Sequence, residues 1–280
     1  MDVRVGAQWM IERARASAAA GLDSLFIGDH HNVPVPYYQN VPMLGRLLAE
    51  WDDRPAGALF LLPLWHPVLV AEQIGTLAAI AHGPFIMQCA IGGGAEQFDA
   101  FDVPLRERAP RFERSLDIIR RLCAGEEAEG ARIAPVPPEP LTVWIGAAAP
   151  KAIDRAARLG DAFLIGPEAT PADVPALIAS YRDACAKHER DGSRIAIRRD
   201  IHVGADSADA DRVAGPVLAR GYRGFDPSAT VTGEPSAVAA AFAHLGELGC
   251  TDVIVRHLAD DHAEVLKSID RLSDVRAQLA

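Results

Sequence analysis

The 280-residue chain carries 28 Lys and Arg against 38 Asp and Glu, a formal net charge of −10. With no basic stripe to displace phosphate counterions, nucleic acid is not an expected partner. The opening residues, Met-Asp-Val-Arg-Val-Gly-Ala, hold no apolar leader segment, and no run of about 18 apolar residues follows, so a cytoplasmic protein without a membrane span is expected.

In chain order, Val3-Arg4-Val5-Gly6 reads either as a short first strand at 2–6 or as a sign that this strand is missing, with a helix beginning at Trp9. A pattern then recurs: a helical stretch ends at Gly, an Asp follows, and a short all-apolar run begins. Gly21-Leu22-Asp23 precedes a strand at 24–28, Gly160-Asp161 one at 162–166, and Gly249-Cys250-Thr251-Asp252 one at 252–257. Glycine ends helices because it takes left-handed backbone cheaply. A run that is apolar throughout marks a strand buried on both faces, as in a parallel sheet covered by helices. Further strands are predicted at 57–62, 85–91, 142–146 and 195–203.

Between them, Pro67 occupies the first position of a helix through Ile74. Phe112, Leu116, Ile119 and Leu122 form one helical face, and Val265, Leu266, Ile269, Leu272, Val275 and Leu279 form another. The proline-rich stretch 134–140 reads as an extended connection into the strand at 142–146. Eight strand–helix units predict a single α/β domain over 1–280, a (β/α)₈ barrel rather than an open doubly wound sheet. Cys89, Cys123, Cys185 and Cys250 are far apart with no CxxC pair, so packed thiols are expected rather than a zinc ribbon or disulfide scaffold.

Barrel chemistry sits at the C-terminal ends of strands. The 24–28 strand ends in Asp29-His30-His31. One of two adjacent histidines on extended backbone faces the mouth, where it can give or take a proton near neutral pH. A plain reading, a capping Asp with two hydrogen-bonded histidines, stays open. The 85–91 strand ends in Gly92-Gly93-Gly94, whose backbone N–H groups can approach an anion or a flat ring. The 142–146 strand ends in Gly146-Ala147-Ala148-Ala149-Pro150, a small-residue entry to a helix that suits phosphate. Arg256 closes the last strand and can anchor a carboxylate, a phosphate or a flavin carbonyl, or serve a salt bridge. Tyr37, Tyr38 and Trp65 can line an apolar pocket. A metal-dependent hydrolase on the same barrel is the competing reading, but without a His-x-His pair no metal is expected.

Several of these motifs coincide with one family. Gly-Leu-Asp-Ser-Leu-Phe-Ile-Gly-Asp-His-His (21–31), Leu-Leu-Pro-Leu-Trp-His-Pro-Val-Leu-Val-Ala-Glu-Gln-Ile-Gly-Thr-Leu (61–77), the segment 101–116, Val-Trp-Ile-Gly (143–146) with 156–164, and Asp-Val-Ile-Val-Arg-His (252–257) resemble, in order, the bacterial-luciferase-like flavin and deazaflavin oxidoreductases. The resemblance implies a monooxygenase that holds reduced FMN, or alternatively a hydride-transfer enzyme using the deazaflavin F420, acting on a small organic substrate. A barrel that binds flavin without turnover is a further alternative. It assigns His30 or His31 to the ring and to proton handling, with Asp29 beside them, and Gly92, Gly93, Gly94, Gly146, Ala147 and Ala148 to the cofactor phosphate. Arg256 is a further anchor. It also implies a non-proline cis peptide near Leu59–Phe60, a homodimer and, for FMN, a separate flavin reductase. Arg106, Arg108 and Arg111 can supply a basic rim for the F420 tail. The chain departs from the luciferases, which carry an Arg in the glycine turn, and from F420-dependent sugar-phosphate dehydrogenases, whose Glu after that turn aligns with Ala95 beside Glu96. Neither of those two activities transfers directly.

Overall fold

The computed structural model describes residues 2–279, which divide into two compact units. One contains the residues up to Ala14 together with Asp23–Trp144; the other contains Arg15–Leu22 and the chain from Ile145 onward.

The first element decides between the two readings of 2–6 in favour of a missing strand. Val3–Gly6 opens helix α1 (Val3–Ala19), and Val3 and Val5 are 57% and 44% exposed, the opposite of a buried strand. Two local causes favour helix. The Asp2 carboxylate accepts the Arg4 N–H at 2.7 Å, as a capping side chain does. Once that turn is nucleated, the Ala- and Arg-rich residues behind it propagate it, against only tenths of a kcal/mol lost at each Val.

In the first unit, β1 (Leu25–Ile27), β2 (Ala56–Leu61) and β3 (Phe85–Ala90) run parallel, with Leu25 opposite Ala56 and Ala56 opposite Phe85. Nearly every residue of β2 and β3 is buried, as their largely apolar runs predict. Gly57 lets the strands approach: a Cβ there would lie 2.0 Å from the Ile86 carbonyl oxygen. The connecting helices are α2 (Asn40–Leu47), α3 (Pro67–Ile80), the short α4 (Ala95–Asp99) and α5 (Arg108–Cys123). Pro67 starts α3, and Phe112, Leu116, Ile119 and Leu122 are the buried face of α5, which packs on α3. The proline-rich stretch forms neither helix nor strand. It passes over α3 at Gly75, where a Cβ would meet the Pro135 carbonyl at 2.1 Å. The cis peptide recorded among the described residues is Ala134–Pro135; the link between Leu59 and Phe60 is not cis, contrary to the expectation. β4 (Thr142–Gly146) spans the boundary between the units.

The second unit holds α6 (Pro150–Leu159), β5 (Ala162–Ile165), α7 (Val174–Lys187), β6 (Ile195–Val203), α8 (Ser207–Ala219), β7 (Val231–Gly233), α9 (Pro235–Leu248), β8 (Asp252–His257) and α10 (His262–Leu279). All its strand pairings are parallel. β7 was not predicted: three half-buried residues, Val-Thr-Gly, give no apolar run. It meets only Ile201–Val203, so β8 pairs directly with β6 from Ala196 to Ile201. Val265, Ile269, Leu272 and Val275 are buried along α10, whereas Leu266 is half-buried and Leu279, in the last turn, is 46% exposed. Gly21 and Gly249 end their helices in left-handed backbone as expected. Gly160 does not; it is extended, and its need for glycine is the Ala156 carbonyl, 2.7 Å from any Cβ. The four cysteines are buried, and none forms a disulfide among the described residues.

Candidate active site

Because β1, β2 and β3 are parallel and in register, the segments that follow them emerge at one edge. Asp29-His30-His31 follows β1, Trp65 lies after β2, and Gly92-Gly93-Gly94 follows β3. Asp29 organises this edge. Its buried carboxylate accepts the Leu61 N–H and the Trp65 indole N–H through Oδ2, each at 2.8 Å, and its Oδ1 lies 3.1 Å from His31 Nε2. The Asp29 side chain is fully buried, and the two N–H donors replace at Oδ2 the water it gives up.

The two histidines part ways, as alternation on extended backbone requires. His31 is buried, with its ring between Trp65 and Phe101 at centroid distances of 5.5 and 4.8 Å. His30 is exposed, edge-on to Tyr37 at 5.9 Å. Gln97, on α4, joins both to the glycine turn. Its Oε1 lies 3.0 Å from His30 Nδ1 and accepts the His31 backbone N–H at 2.9 Å, while its Nε2 donates to the Gly93 carbonyl at 3.0 Å. Sequence reasoning missed Gln97. The available signal was a lone amide one helical turn past three glycines, which by itself marks nothing.

Gly92 and Gly94 have φ of +66° and +87°, and a Cβ at Gly94 would meet nothing within 4 Å. The turn is therefore open, and it is built from backbone that side chains rarely adopt. The cation that the sequence lacks within the turn is supplied from α5: Arg108 Nη1 donates to the Gly92 carbonyl at 3.0 Å. Of the other two predicted rim arginines, Arg106 is 82% exposed and lies 3.8 Å from Glu107, and Arg111 is exposed. Leu59 is half-buried, its carbonyl held by the Asn40 amide at 2.7 Å. Phe60 is fully buried against Trp65, so its side chain offers no surface to a ligand.

The remaining predicted residues lie in the second unit. Gly146, Ala147 and Ala148 lead into α6, whose N-cap residue Ala149 makes no side-chain cap. Arg256 is exposed on β8 beside Asp200 of β6. The Asp200 carboxylate is already engaged by both Arg198 nitrogens, at 2.7–2.9 Å, and by the Tyr222 hydroxyl at 2.8 Å. Burial pushes the Tyr222 phenol up to about 12. Burial, with Arg256 and Arg198 nearby, lowers the Arg223 guanidinium. Among the described residues, no group of three His, Cys, Asp or Glu side chains could hold a metal ion, and no helix is long and apolar enough to cross a membrane.

Comparison with solved structures shows the fold class. The oxygenating constituent of 3,6-diketocamphane monooxygenase from Pseudomonas putida, solved with FMN, superposes with a TM-score of 0.81 at 17% identity, covering 100% of this chain and 95% of its own. An F420-dependent secondary alcohol dehydrogenase, solved with an F420–acetone adduct, gives 0.80 at 15% identity, covering 96% and 94%. The class is α/β, of the (β/α)₈-barrel type, with Val3–Gly6 in helix in place of a first strand. The model of the luciferase-like monooxygenase family matches residues 5–267, and the chain belongs to that family. Among curated proteins, the F420-dependent glucose-6-phosphate dehydrogenase of Nakamurella multipartita is 28% identical over 219 residues, 69% of this chain and 60% of that protein. The chain spans about half to three-fifths of the length of such relatives.

Proposed function

We propose that this chain is an oxidoreductase that holds a deazaflavin of the F420 type at the edge formed by Asp29–His31 and Gly92–Gly94, and acts on a small, mostly apolar organic molecule. The observation that carries the reading is the exposed His30 imidazole tied through Gln97 to an open glycine turn with a guanidinium beside it. That combination fits a planar ring bearing an anionic tail: the turn admits close approach, and Arg108 offers charge to a phosphate. Four curated relatives bear the name F420-dependent glucose-6-phosphate dehydrogenase, which favours the deazaflavin. When bound, such a group supplies hydride exchange with a substrate carbon.

The chain's own residues do the rest. Asp29 and Trp65 hold the backbone after β1 and β2, and the buried His31 braces it. His30 takes the hydroxyl proton released when an alcohol carbon is oxidised, and returns it in the reverse direction. By the resemblance, Ala95 falls where the sugar-phosphate dehydrogenases carry Glu, with Glu96 one step off, so a sugar phosphate is not the substrate proposed here. Reduced FMN with oxygen, supplied by a separate reductase, is the second reading. One observation favours it: a single guanidinium, Arg108, is recorded at the turn, which matches one phosphate better than a polyanionic tail.

Fluorescence titration of the purified protein with F420, FMN and anaerobically reduced FMN decides between them. Micromolar or tighter binding of F420, with weaker binding of both FMN forms, is expected. The reverse order selects the second reading, and failure of all three at micromolar concentration removes both.

A further inference from the structure

We propose that Gln97 is a positioning residue that fixes the tautomer of His30, placing the ring proton on Nδ1 and leaving Nε2 as the proton-accepting nitrogen. The functional consequence rests on the reading of His30 given above; the tautomer assignment does not.

Two groups beside the Gln97 amide have fixed roles. A backbone N–H only donates and a backbone carbonyl only accepts. The His31 N–H points at one end of the Gln97 amide at 2.9 Å, so that end is the oxygen. The Gly93 carbonyl faces the other end at 3.0 Å, so that end is the nitrogen. Flipping the amide would set donor against donor and acceptor against acceptor, inside a side chain that is itself buried. With the amide orientation settled, the atom 3.0 Å from His30 Nδ1 is an acceptor, so the neutral imidazole must carry its proton on Nδ1. Nε2 then presents a lone pair, and no partner for it is recorded among the described residues. The same amide ties that choice to the glycine turn, since the turn's carbonyl is one of the two groups that orient it. Gln97 touches no reacting atom; it acts through His30.

Long-range ¹H–¹⁵N correlation of histidine-labelled protein without cofactor tests this, with the His30 signals assigned by their loss in His30→Ala. At pH 8 the wild type is expected to show a protonated Nδ1 and an unprotonated Nε2 at His30. Gln97→Leu, which removes the acceptor, is expected to populate the Nε2–H form. Gln97→Ala, which removes the acceptor with a smaller side chain, is expected to do the same. A wild-type proton on Nε2 overturns the proposal, as does a Gln97→Leu spectrum unchanged at His30. If Gln97→Leu does not fold, a Gln97→Ala spectrum unchanged at His30 overturns it. Titrating the same wild-type sample with F420 and FMN keeps the two readings apart: absence of binding removes the cofactor reading and leaves the tautomer result standing.

Discussion

Arg108 and His202 show at the residue scale how differently two polar groups are used. Arg108 spends one guanidinium nitrogen on the Gly92 carbonyl and keeps further donors for an incoming anion. Arg108→Ala is expected to weaken binding of whichever cofactor the protein takes by about 10-fold, near the 1.4 kcal/mol of one charge-assisted contact, with little change in stability; unchanged affinity in the same titration would remove Arg108 from the site. His202, on β6, is fully buried and neither ring nitrogen has a hydrogen-bond partner. Burial lowers its pKa; the carboxylates of Asp209 and Glu264 oppose that shift, while Arg271 and Arg212 add to it. The unfolded chain therefore binds the proton that the folded chain refuses, so stability is full above the ordinary histidine value of about 6.5 and falls as pH drops below it, by at most about 1.4 kcal/mol per pH unit. Urea midpoints between pH 5 and 7.5 should show this slope, and His202→Leu should flatten it; an equal slope in the variant would assign the acid sensitivity to another group.

At the scale of elements, the strands of the first unit depend on a glycine. A Cβ at Gly57 would meet backbone, the Ile86 carbonyl at 2.0 Å, and backbone cannot swing aside as a side chain does. Gly57→Ala is expected to destabilise the protein by about 3 kcal/mol or more in urea unfolding, as severe overpacking does, and a loss below about 1 kcal/mol would mean that β2 and β3 separate freely. Elements were legible in the sequence where burial is two-sided. β2, β3 and β5 announce themselves as largely apolar runs, and α5 as one buried face. What stayed open or went unseen shares one cause, a short segment whose state is decided by its neighbours. Val3-Arg4-Val5 follows Asp2 and precedes a long helix former, so capping and propagation override two β-branched residues. Val231–Gly233 forms a strand only because the end of β6 is there to pair with it. In the site, the adjacent histidines and the glycine turn stood out as residue types. The division of labour between them did not, because it is set by Gln97 and by the burial of Asp29, contacts spanning 67 residues from His30 to Gln97 and 36 from Asp29 to Trp65.

For the whole molecule, the fold class and family membership bound the chemistry without choosing the substrate, since one barrel supports many reactions through its loops. The proposed chemistry depends on where a planar redox cofactor seats. Amide hydrogen exchange, with and without saturating F420 or FMN, reads that location directly because ordering by a ligand slows local opening. Slowed exchange in peptides covering 29–31 and 92–97 is the predicted result. Tight binding that leaves both segments exchanging at the unliganded rate would contradict the account.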